Sequence, residues 1–153
     1  MTYRIEGLAP EPFAPLFEMS DAELAASSAR RAVADGPGFP CRVSLEEAEA
    51  GEALMLVNHV SNDVHTPFRA SHAIYVRKGA ERGACIDSVP PLFDTRTLGL
   101  RGFDGEGMLQ GALLALPGEA DGRIRALFER PEIAEIHAHN AALGCFLARI
   151  ERN

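Results

Sequence analysis

Near the C-terminus, two short extended-looking stretches, Ile133 to Asn140 and Cys145 to Glu151, flank the brief segment Ala141 to Gly144. In the second stretch Phe146, Ala148 and Ile150 recur at every other position, so as a strand they share one face. A connection of this length suits a β-hairpin. This pairing constrains the fold more than any other feature of the chain, because it commits the C-terminal part to antiparallel sheet and away from a regular βαβ repeat.

The same strand carries Ile136-His137-Ala138-His139-Asn140. Alternation places His137 and His139 on one face, roughly 6–7 Å apart along the strand. Two imidazoles on one face are costly unless a metal ion, a proton, an anion or a hydrogen-bonded core uses them.

Upstream, Ser20 with Glu23 forms a capping box, and the alanine-rich run that follows predicts a helix closed by Gly36 before Pro37. Residues 1–18, with Pro10, Pro12 and Pro15, read as an extended arm packed on the rest. Gly36-Pro37-Gly38-Phe39-Pro40 is a stiff turn-rich loop. A second capping box, Ser44 with Glu47, predicts one or two helical turns ending at Gly51. Strands are expected at 53–57, 73–76 and 97–103, with 61–66 a polar loop; 108–116 fits strand or helix, and strand is preferred because Gly111 weakens a helix and Pro117-Gly118 ends it. Ile124, Leu127 and Phe128 have helical spacing within Ala120 to Arg130, which Pro131 closes. The pattern predicts one α+β domain over 1–153: a largely antiparallel sheet, two main helices and the C-terminal hairpin.

The formal net charge is −7, and residues 1–76 hold 11 acids against 5 bases. Such a surface repels a phosphate backbone, so nucleic acid is excluded as an expected partner. No apolar run approaches the length of a membrane span, and the N-terminus lacks a basic start with an apolar core. A cytoplasmic, bacterial-type protein is the expectation, with homo-oligomerisation left open. Of the 15 bases only Lys78 is a lysine, leaving 14 forked guanidinium groups suited to carboxylates or phosphates. Cys41, Cys85 and Cys145 are expected to be reduced thiols, and none form a CxxC pair.

Three segments together resemble a bacterial family of about this length, domain of unknown function 1203. They are Pro40-Cys41-Arg42-Val43-Ser44-Leu45, then Pro67-Phe68-Arg69-Ala70-Ser71-His72-Ala73-Ile74-Tyr75-Val76, then His137-Ala138-His139-Asn140-Ala141 with Gly144-Cys145. The resemblance covers about the whole chain and implies a fold family, not an activity.

Chemistry therefore rests on residue types. His137 and His139 are the metal ligands if there is any metal, with His72, His59 or an acid completing the set. No third ligand has telling spacing, so a metal is not favoured. Cys41 beside Arg42 is the first candidate nucleophile, with His137 or His139 as acid or base; packing is the simpler role for that thiol. Arg42, Arg69, His72 and Asn140, with the paired histidines, are expected to line a pocket for a small anionic molecule. Common nucleotide and hydrolase motifs are absent, so the cofactor is unknown. The expected function is anion binding with catalysis open. The alternatives are a structural or interaction module and a histidine-ligated metal enzyme.

Overall fold

The computed structural model describes residues 1–153 and is an α+β fold of nine strands and three short helices. The strands are β1 Tyr3–Glu6, β2 Ala29–Val33, β3 Ala53–Asn62, β4 Ala70–Arg77, β5 Ala84–Ile86, β6 Leu98–Phe103, β7 Leu109–Ala115, β8 Glu135–Asn140 and β9 Phe146–Arg152. The helices are α1 Asp21–Ala26, α2 Pro91–Asp94 and α3 Ala120–Phe128. A six-stranded sheet runs β5-β1-β9-β8-β6-β7 and a three-stranded sheet runs β2-β3-β4, every strand pairing being antiparallel.

The C-terminal hairpin forms as expected, with β8 and β9 at the centre of the larger sheet. One face of this sheet packs Leu98, Leu100, Ile136 and Ile150 against Ile124, Leu127 and Phe128 of α3. A second core lies on the smaller sheet, where Met55, Val57, Ile74 and Val76 pack with Cys41, Val43 and Leu24. Between these cores sits a layer of another kind, built from Phe13, His59, Phe146, His137, His139 and Phe103.

The first helix is shorter than its sequence implies. Its capping box is real, with Glu23 N–H donating to Ser20 Oγ and Ser20 N–H to the Glu23 carboxylate. The helix stops at Ala26, Ser28 takes φ +52°, and Ala29–Val33 becomes a strand paired with β3. Two consecutive serines offer the backbone non-helical hydrogen bonding, and sheet pairing then outweighs the alanine propensity.

The Ser44–Glu47 helix does not form. Leu45 at φ +60° and the Cys41 N–H to Glu46 carbonyl bond fold that segment into a tight loop. The expected loop at 61–66 begins later, since Ser61 and Asn62 finish β3. β1 and β5 carry no expectation from sequence; Tyr3 and Ile5 are fully buried on alternate positions of what reads as an arm.

Candidate functional site

β4 is one of the two edge strands of the smaller sheet, and beside it opens a cavity of about 770 Å³. The three resemblance-bearing segments meet here. Arg42 N–H donates to the Tyr75 carbonyl at 3.1 Å, joining the first segment to β4. The Arg42 side chain reaches the third segment, donating from Nη2 to Cys145 Sγ at 3.4 Å, and just beyond it from Nε to the Phe146 carbonyl at 2.8 Å. Its Nη1 donates to the Pro40 carbonyl at 2.7 Å. The second and third segments touch through His72 and His139, whose rings lie edge-on with centroids 4.9 Å apart.

Arg42 is 2% exposed and its partners are two carbonyls and a thiol, with no carboxylate among them. Burial pulls its basicity down and the nearby Arg96 charge opposes it further, whereas Cys145 favours the charged form. An uncompensated buried cation is expensive, and a bound anion is one way to offset that cost. Arg96 and Arg101 also line the cavity. Arg96 is paired with Glu47, but Arg101 projects from β6 without a carboxylate partner. None of the 15 lining residues is an aspartate or glutamate, although acids outnumber bases in the chain.

The paired histidines lie behind this wall. Together with Arg101 they line a separate, smaller cavity of about 120 Å³. Their ring centroids are 6.4 Å apart, so they do share a face. His137 is 1% exposed and donates from Nε2 to the Glu135 carboxylate at 2.8 Å. Burial pushes the Glu135 carboxyl up, but the His137 hydrogen bond and the Arg149 charge outweigh it and hold the group below its ordinary range.

His139 donates from Nδ1 to the Gly144 carbonyl at 2.9 Å, leaving Nε2 as a lone pair. Burial is the main reason its pKa is pushed down to about 4; the Gly144 bond opposes this, and Arg101, His72 and His137 add to it. His139 is therefore neutral at neutral pH. His72 shares a 2.8 Å bond between Nδ1 and Ser61 Oγ, and burial, then the Arg101 and His137 charges, lower its pKa too. No group of three or more His, Cys, Asp or Glu side chains is gathered so as to hold a metal ion.

The other expected site residues divide. Asn140 lines the large cavity, and its Oδ1 accepts from the N–H groups of Ala142 and Leu143 at 3.1 Å, shaping the hairpin loop. Arg69 stands away from the cavity, exposed and paired with Asp63. Cys41 is fully buried in the smaller-sheet core, where Sγ accepts from the Arg77 N–H at 3.3 Å. The thiol on the cavity is Cys145 instead.

Arg96, Arg101 and Cys145 are the site residues that residue-type reasoning passed over. For Arg101 a signal was present. It alternates with Leu98 and Leu100 in a strand whose partner is the His137–His139 strand, and it pairs directly with His137. Arg96 follows Pro90-Pro91 without a local pattern that marks it.

Fold and site together define a two-sheet α+β protein with a cationic cleft between the smaller sheet's edge and the C-terminal hairpin. A family model described as protein of unknown function (DUF1203) matches residues 38–152, and the chain belongs to that family. All the cavity-lining residues, from Gly38 to Leu147, lie within the matched segment. No curated protein and no solved structure matches the chain. No helix is long and apolar enough to cross a membrane.

Proposed function

We propose that this protein binds an anionic small molecule in the cavity walled by Arg42, Arg96, Arg101 and His72. The observation that carries this is the cavity's charge: three guanidinium groups and no carboxylate line it, and the buried one has no acidic counterion anywhere in its hydrogen-bond shell. Forked guanidinium donors suit carboxylates and phosphates, and a volume of about 770 Å³ fits the range of small-molecule sites. His139 is a positioning residue in this scheme, while His137 is bonded to Glu135 on its own strand. His139 fixes the Gly144 carbonyl while Arg42 fixes that of Phe146, so both hold the loop that forms one wall.

The test is thermal melting with phosphate, citrate and an uncharged sugar at matched ionic strength. Phosphate or citrate should raise the melting temperature with a saturable dependence, and Arg101→Gln should remove the rise. Equal effects of all three solutes would contradict the proposal.

One observation favours a second reading. His137 and His139 are both buried and hydrogen-bonded, as a purely structural network would have them. On that reading their loss destabilises the hairpin and the cationic cleft has no occupant, so the same melts separate the two.

A further inference from the structure

β4 is paired with β3 along one side only, and its other side runs past the cavity. On that side the chain comes alongside at a single point. Cys41 bridges Tyr75 in parallel, Arg42 N–H donates to the Tyr75 carbonyl, and Arg77 N–H meets Cys41 Sγ. With a period of two, Ala73 and Ser71 turn their N–H and C=O groups the same way as Tyr75. Both residues are exposed, and their main-chain groups bond to no other segment.

The edge is open there because the preceding chain leaves it. Gly38, at φ +105°, turns the Pro-Gly loop aside, while Phe39 packs its ring edge-on to Tyr75 at 5.1 Å. A non-glycine residue at that φ is strained, so glycine maintains the opening. Gly38, Ser71 and Ala73 all line the cavity.

Building on the anion-binding function above, we propose that the ligand is an acidic peptide in extended form, added as a further strand to the free edge of β4. Unpaired edge groups in regular alternation match a peptide main chain, which offers N–H and C=O at the same spacing. The cations come from separate elements: Arg42 from the Pro-Gly loop, Arg96 from beyond α2 and Arg101 from β6. Three cations in one cleft beside a strand edge can meet more than one carboxylate of a chain laid along it. Leu143 and Leu147, on the opposite wall, give apolar side chains of the peptide a place to pack.

The experiment uses a labelled pentapeptide of alternating glutamate and valine, blocked at both ends. Beside it stand its glutamine counterpart, its backbone N-methylated counterpart and inorganic phosphate. Binding is read by anisotropy, and the amide resonances of Ser71 and Ala73 are followed by NMR. The glutamate peptide should bind saturably and shift both resonances, with affinity lower by about 10-fold or more for the glutamine and N-methylated forms.

If the N-methylated peptide binds as well as its parent, the added strand is refuted. If the glutamine peptide binds as well, the acidic character is refuted. Phosphate binding without peptide binding overturns this inference and leaves the anion-binding function standing; binding of neither overturns both. A concentration-dependent dimer in which those two amides are protected without peptide would replace the peptide with a second copy of the chain.

Discussion

At the corner where α3 meets β1, Arg125 lies within 2.9–3.1 Å of the Asp121 carboxylate and 2.9 Å from Asp87, above the ring of Tyr3. Tyr3 itself donates to Asp121 at 2.6 Å. The hydrogen bonds from Arg125 and Tyr3 hold the Asp121 carboxyl below its ordinary range, and Asp121 and Asp87 hold the Arg125 charge firmly in place. Beside β4 the same residue type is treated differently. Arg42 is buried on carbonyls and a thiol, and Arg101 faces open space with no acid. A guanidinium surrounded by acids is a clamp between elements, whereas one deprived of them in a concave wall, such as Arg101, keeps its donors and its charge open to solvent.

The largest effect that would sharpen this contrast is at Arg42. Arg42→Met removes both donors to the buried Phe146 and Pro40 carbonyls, and should cost roughly 4 kcal/mol in denaturant unfolding. An unchanged midpoint would mean that these bonds do not anchor the hairpin loop.

Next comes acid. The folded-state pKa of His139, about 4, lies below its unfolded value, so the unfolded chain binds more protons between the two. Its contribution is complete above about pH 6.5 and is lost as pH falls towards 4, on the order of 3 kcal/mol, with His59 and His72 shifted in the same direction. Denaturation curves across that window should show the loss, and His139→Gln should flatten it. An equally steep loss in the variant would assign the acid sensitivity elsewhere.

Smaller again is ligand stabilisation. Phosphate at ten times its Kd should add about 1.4 kcal/mol to wild-type stability and nothing to Arg101→Gln. Chemical labelling refines the same contrast. Iodoacetate, an anion, should outpace neutral iodoacetamide at Cys145 by on the order of 10-fold relative to the same ratio at Cys85, whose thiol is raised by burial alone. Peptide mass mapping reads both ratios, and equal ratios would show that the cleft carries no effective positive potential. The smallest effect belongs to the clamp: Arg125→Gln should lower the melting temperature only slightly and leave anion binding untouched.

The hairpin and the helix around Ile124 were legible because their periodicities are local and strong, and both form where the pattern puts them. Helix α1 was legible only at its start. The Ser20–Glu23 box specifies a beginning, but nothing local announces that Ala29–Val33 will find β3 and become a strand. The Ser44–Glu47 pattern misled for the opposite reason: the motif is present, but Glu47 is taken by Arg96 from beyond α2. Of the site, Arg42, His72 and Asn140 were found by residue type and reach the cavity. Cys41 and Arg69 do not: Cys41 sits outside the strands and its side chain is drawn into the smaller-sheet core, and Arg69 precedes β4 and is held by Asp63, placements that depend on the folded path and not on local pattern. Arg96 enters only through the folded path of the chain.

The most direct measurement is a calorimetric titration of phosphate into the wild-type protein, Arg101→Gln and Arg125→Gln at one ionic strength. Saturable binding to the wild type and Arg125→Gln, and none to Arg101→Gln, is the predicted result. No binding to the wild type, or the same isotherm for all three proteins, would contradict a receptor for anions beside β4.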